Sequence, residues 1–232
     1  MSAANTNGAV ALSGDRFRIG EDDFQLADIL APSLYALQSM SPPYVNEAKE
    51  HLQQLLTNSP FEFDDIAPPT RWGMRVVRTG ESEKTASLEQ RLIAAGAARV
   101  APQTDDIAFI ERLLTVERIA RQGKKGLWSL DAYQVFDADN ATGAIGGYHL
   151  VEGSVVSARK ARSRFYLNFG DDYRTDFTAS TTSILYRRWV KAGFDLASLQ
   201  GARLRIRGFV VDINGPSVDL THESQIEDMS IV

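Results

Sequence analysis

The chain has 232 residues, enough to bury one large core or two small ones. Its 44% hydrophobic and 24% charged residues exclude a disordered or fibrous chain, and the absence of Cys excludes disulfides and thiolate metal sites. The net charge of −5 is uneven: residues 1–145 hold 14 Lys/Arg against 20 Asp/Glu, and residues 146–232 hold 11 against 10. An acidic chain lacks the broad basic footprint of a non-specific nucleic-acid binder. No apolar run approaches the length that crosses a bilayer. His51, His149 and His222 are scattered and read as surface or hydrogen-bonding side chains rather than ligands.

Residues 1–8 are small and polar, a flexible lead-in. Residues 10–19 alternate as a strand with a bend at Gly14, residues 20–23 form a turn, and residues 24–30 form a second strand closed by Ala31-Pro32. Beyond Pro42-Pro43, Val45, Ala48, Leu52 and Leu55/Leu56 fall on one face of a helix. Residues 61–63 read as a strand running toward Pro68-Pro69, residues 70–74 as a turn, residues 74–78 as a strand and residues 79–86 as a charged loop. Leu88, Leu92 and Ala95 recur at helical spacing, and Gly96 stops that helix. Asp105 or Thr104 is placed to cap the next one, whose apolar stripe is Ile107, Ile110, Leu113, Leu114 and Ala120. Gly123 and Gly126 end it, and Leu127-Trp128 can fold back as an apolar lid. Composition and period alone predict a helical hairpin here and no function.

The residues Glu117, Ala120, Arg121, Lys125, Gly126, Leu127 and Trp128, following a helix of the form "LEQRLIAAGAARV", resemble the staphylococcal-nuclease family. The likeness covers about the first 130 residues. It implies a five-stranded OB-type barrel braced by helices, which in active members is a calcium-dependent phosphodiesterase cutting DNA and RNA. By the same resemblance Asp15 falls on a calcium-binding aspartate, Gln25 on the first catalytic arginine and Leu30 on the second calcium-binding aspartate. Ser33 falls on the glutamate that acts as general base, and Met74 on the second catalytic arginine. Arg75 is one place along, which in a strand points it to the opposite face.

Those replacements remove the chemistry one group at a time. A hard cation wants several oxygen ligands, and one carboxylate holds it poorly. A pentavalent phosphoryl transition state gathers negative charge, which uncharged Gln25 and Met74 do not stabilise. Ser33 is no base at neutral pH. Loss of one such preorganised donor costs on the order of 100-fold. Asp15 is then a turn or strand-end aspartate in preference to a metal ligand, although Asp28 stands two residues from the lost ligand. No metal or cofactor is expected, calcium entering only if cleavage survives.

Residues 131–147 concentrate Asp, Asn, Thr and Gly between two patterned regions and read as a linker. From residue 148 onward five strands with one helix after the third are predicted, the element order of an OB barrel. The words at residues 150–157, 165–178, 204–210 and 214–227 resemble a C-terminal extension of some bacterial thermonuclease-like proteins. OB barrels hold single strands on aromatic platforms beside basic grooves. The candidates are Phe165, Tyr166, Phe169 and Tyr173, with Arg162, Arg164, Arg203, Arg205 and Arg207. Arg203, Arg205 and Arg207 alternate along one strand face, either as a phosphate track or as a solvated face paired with carboxylates.

The reading is a mainly β, α+β chain of two OB-type five-stranded barrels in tandem. It comprises a flexible end (1–8), a nuclease-like domain (9–130), a linker (131–147) and a second barrel (148–232). The expected role is a catalytically inactive binding or scaffold subunit that meets a protein partner. The alternatives are single-stranded nucleic-acid binding by the second barrel and residual metal-dependent nuclease activity. The compartment is open: a leader or anchor upstream would place the chain in the periplasm or at a membrane, and otherwise it belongs in the cytoplasm.

Overall fold

The computed structural model describes residues 8–33, 42–58, 61–81, 85–172 and 174–229. The chain divides into two compact units, residues 1–133 and residues 134–232. Both mix strands with helices, and among the described residues neither main sheet closes on itself by hydrogen bonding. No helix among these residues is long and apolar enough to cross a membrane.

In the first unit, β1 (Val10–Ala11) and β2 (Arg16–Ile19) pair antiparallel, Val10 opposite Arg18, so residues 10–19 are a tight hairpin and not one bent strand. Gly14 explains the fold-back: a Cβ there would lie 2.6 Å from the Cβ of Ala31 and 2.7 Å from that of Ala48, which a side chain forbids. The expected second strand is also split. β3 (Asp22–Leu26) and β4 (Ile29–Leu30) are separated by Asp28, whose φ of 60° is left-handed backbone that Asp tolerates better than most residues. α1 (Val45–Asn58) buries Ala48, Leu52 and Leu56 as its spacing predicts. β5 (Phe63–Ala67) and β6 (Arg75–Thr79) complete a sheet of order β1-β2-β3-β6-β5, in which β3 and β6 run parallel. Phe17, Phe24, Phe61 and Phe63 meet on its core face.

The hairpin of helices is built by local signals. α2 (Leu88–Ala95) starts in a capping box between Ser87 and Gln90 and stops at left-handed Gly96. β7 (Arg99–Val100) pairs with β4, and α3 (Ile107–Gln122) follows, capped by Asp106 rather than by Thr104 or Asp105. The Asp106 carboxylate reaches the Phe109 N–H because it sits at the position whose side chain faces the third helical amide. Glu117, buried in α3, accepts the Val100 N–H at 2.7 Å and ties the helix to β7. Gly126 crosses Gly96 so closely that a Cβ on Gly96 would lie 2.1 Å from the Lys125 carbonyl oxygen. The Leu127 N–H then reaches Gly96 O at 2.9 Å, and Leu127 and Trp128 close the core as the expected lid.

Glu89 of α2 accepts the N–H and O–H of Thr79 at 3.0 and 2.6 Å, joining that helix to β6. Burial pushes its carboxyl above the ordinary value of 4.5, against the hydrogen bonds from Thr79. The folded state thus keeps this proton at a pH where the unfolded chain has released it. Its contribution to stability is present at low pH and is lost as pH rises above 4.5 toward the raised value. Glu89→Gln, neutral throughout, is expected to flatten the decline in Tm over that rise. Parallel Tm–pH curves for the two proteins would contradict this.

The second unit begins inside the predicted linker. β8 (Phe136–Asp137) pairs parallel with β9 (Tyr148–Ser154), and a run of 3-10 turns between them buries Ala138, Ala141 and Ala144 in the second core. Small residues signalled a loop, but their lack of bulk is what lets this backbone pack so close: Ala138 Cβ would sit 2.6 Å from a Cβ on Gly153. The strands β10 (Ser157–Ala161), β11 (Arg164–Asn168) and β12 (Thr178–Thr182) form a meander. α4 (Ser183–Lys191), capped by Thr182, follows the fourth strand after residue 147 rather than the predicted third, because residues 148–161 divide into β9 and β10. β13 (Arg203–Asp212), β14 (Pro216–Asp219) and β15 (Ile226–Asp228) complete the unit. The sheet order is β10-β11-β12-β14-β13-β9-β8, with β15 beside β13 and a parallel β12–β14 pair.

Candidate functional site

The five positions singled out by resemblance lie on β3, β4 and the loops around them. Asp15 is 1% exposed. One carboxylate oxygen accepts the Ser13 hydroxyl at 2.7 Å and the other the Ala31 N–H at 3.2 Å. Burial pushes its carboxyl above the ordinary aspartate value, opposed by the Ser13 hydrogen bond and the charge of Arg16. Gln25 is buried on β3, while Leu30, Ser33 and Met74 are half-buried. Leu30 lies opposite Arg99, which is buried with its guanidinium 4.9 Å from the Tyr133 ring.

Arg75 pairs across with Phe24, one residue from Gln25, so it stands on the other face of β3 and binds Asp65. Asp28 is engaged by its own chain as well. Fully buried, it accepts the Gln103 and Thr104 N–H groups, the Thr104 hydroxyl and the Arg78 guanidinium. Arg16, the cross-strand partner of Gln25, shares its face, and the Arg16 Nε is 4.0 Å from the Asp15 carboxylate. The sequence signalled it only as the residue following Asp15. Among the described residues no three His, Asp or Glu side chains gather as a metal-binding group. On the turn before β6, Trp72 is 69% exposed and the Arg71 guanidinium lies 3.8 Å from its ring centre.

In the second unit the candidates separate by strand face. Phe165 and Phe169 are buried in the core, Phe165 stacked on Tyr186 and Phe169 tilted against Phe177, and offer no platform. Their alternation with Arg164, Tyr166 and Asn168 across β11 was the available signal, since successive strand residues face opposite sides. Tyr173 lies outside the described residues. Arg205 and Arg207 are buried rather than laid out as a phosphate track. Arg205 donates to Glu152 of β9 through Nε at 2.7 Å and lies 3.4 Å from Glu227 of β15, and Arg207 pairs with Glu227. Arg203 remains exposed, 3.7 Å from Glu152.

Arg162, Arg164 and Tyr166 do come together. They line an open groove of about 840 Å³ on the face opposite the core. Cross-strand partners place Arg159, Tyr166, Ser180 and Asp219 in one row, and Asn168, Thr178, Ser217 and Val211 in the next. Arg162 sits at the β10–β11 turn with a φ of 52°. Arg164 donates to Ser180 and pairs with Asp219 on the floor. Val211 and Ile213 form the far wall.

Among curated proteins none matches the chain. A family profile, Staphylococcal nuclease homologue, matches residues 23–130. The match spans β3 through the Leu127-Trp128 lid, the segment where the paired glycines and Glu117 fasten the helical hairpin to the sheet. Residues 23–130 thus form a staphylococcal nuclease-like domain.

Proposed function

We propose that this chain is a non-cutting relative of staphylococcal nuclease, two OB-type barrels in tandem, that works as a binding subunit for a protein partner. The observation that carries the reading is the state of Asp15: both carboxylate oxygens are engaged by its own chain, in a setting that favours the protonated form. The donor set does not suit the calcium ion that the family implies. Gln25 and Ser33 are neutral, and Leu30 and Met74 supply no hard oxygen. Arg16 places a positive charge beside Asp15, where a metal would otherwise supply it. Trp72 and Arg71 are the residue types that most often anchor protein interfaces, and they stand exposed beside Met74.

The test is a cleavage assay on single- and double-stranded DNA and on RNA, with calcium, magnesium or chelator, run beside Asp15→Asn. Calcium is also added during thermal melting, because any ion bound by the folded state raises Tm. Cleavage is expected to be the same with metal as with chelator, and Tm is expected not to move with calcium. Metal-dependent cleavage lost in Asp15→Asn would overturn the reading.

A further inference from the structure

The groove on the second unit is a built surface with two chemically distinct ends. At the β10–β11 end, Arg159 and Arg162 have no carboxylate within 4.0 Å among the described residues, whereas Arg164 is already paired with Asp219. At the β13 end, Val211 and Ile213 present aliphatic side chains to solvent, Ile213 being 65% exposed. Phe209 continues the same alternating stripe along β13. Asn168, Thr178, Ser180 and Ser217 pave the floor between the two ends. Hydroxyls and a carboxamide can both donate and accept hydrogen bonds.

We infer that this groove holds an extended, acidic peptide segment of a partner protein, with its carboxylates on Arg159 and Arg162 and an aliphatic side chain against Val211 and Ile213. Four inter-strand steps separate β10 from β13. At ~4.8 Å each they span about 19 Å, the length of about six residues of extended chain. Peptide amides meet the floor's mixed donors and acceptors, and the exposed Arg159 and Arg162 guanidiniums attract carboxylates. Single-stranded nucleic acid fits less well: of the three described aromatic candidates Phe165 and Phe169 are in the core, so Tyr166 stands without the run of platforms on which successive bases stack. Two of the three β13 arginines that would track phosphates are closed off by Glu152 and Glu227. The site is independent of whether the first unit cuts nucleic acid, so the two readings fail separately.

The experiment pans a random peptide library on the full chain, with the Arg159→Glu/Arg162→Asn chain as the depletion bait. Both positions are exposed, and Asn suits the left-handed backbone at residue 162. Enriched peptides are expected to carry acidic residues at one end and an aliphatic residue about six positions away. A synthetic peptide of that sequence is expected to bind wild type, to weaken as salt rises, and to lose about tenfold or more on the double variant and on Ile213→Asp. Circular dichroism of each variant checks that the fold is unchanged. Failure to enrich any peptide whose binding depends on Arg159, Arg162 and Ile213 would overturn the assignment. So would displacement of the peptide by a short oligothymidylate that binds more tightly and depends on Tyr166, which would assign the groove to nucleic acid.

Discussion

Replacing Glu227 by Ala is expected to lower the stability of the second unit by about 3–5 kcal/mol, since removing one partner of a buried pair leaves an uncompensated charge. Arg207 is 0% exposed and pairs with Glu227, which also lies 3.4 Å from Arg205. Without that carboxylate the buried Arg207 guanidinium loses a charge-assisted partner in a water-poor setting. Arg205 suffers less because Glu152 remains beside it. At the sensitivity of a domain this size, Tm should fall by roughly 15 °C or more. The partner experiment separates charge from shape: Arg207→Met combined with Glu227→Leu removes both charges while filling similar space, and should recover most of the loss. A Glu227→Ala cost below ~1 kcal/mol would mean that the fold accommodates Arg207 without Glu227.

Asp28→Ala should destabilise the first unit by a similar amount, about 3–5 kcal/mol, for a different reason. The Asp28 carboxylate is the acceptor for two backbone N–H groups, at 2.8 and 2.9 Å, and for the Thr104 hydroxyl at 2.7 Å. Those donors stand at a part-buried corner, and each one left without its acceptor costs up to ~1–3 kcal/mol. Ala is also a poor occupant of the left-handed backbone at this corner, where Asp and Asn are tolerated. Asp28→Asn keeps one acceptor oxygen and the backbone preference, so it should cost clearly less than Ala. Chemical denaturation of the two variants beside wild type measures both numbers. Equal losses would show that the backbone hydrogen bonds to residues 103 and 104 matter little and that the negative charge facing Arg78 carries the effect.

Neither carboxylate stands out in the sequence, and the contrast with the helical hairpin shows why. Everything that defines α2 and α3 lies within a few residues: the Ser87–Gln90 box, the left-handed Gly96 and the i, i+3 stripe through Ile110 and Leu113. A one-residue error at the Asp106 cap is the cost of several capping residues in a row. Asp28, by contrast, accepts hydrogen bonds from residues 75 and 76 positions away. Arg205 meets Glu227 and Glu152 at separations of 22 and 53. Such pairs depend on strand register, which is decided by whole-sheet packing.

The sequence by itself determined the α+β class, the helical hairpin of residues 88–128, the α1 face, the presence of α4 and the lack of charged side chains at Gln25, Leu30, Ser33 and Met74. These follow from residue identity and short-range periodicity. Tertiary structure alone decided that residues 134–147 build into the second core and that Arg205 and Arg207 are buried pairs. It also decided that Asp15 is sealed by Ser13 and Ala31, and that Arg159, Tyr166, Val211 and Ile213 share one groove. Each of these joins strands or loops distant in the chain, and the free energy that selects their register belongs to the packed core as a whole rather than to any local stretch.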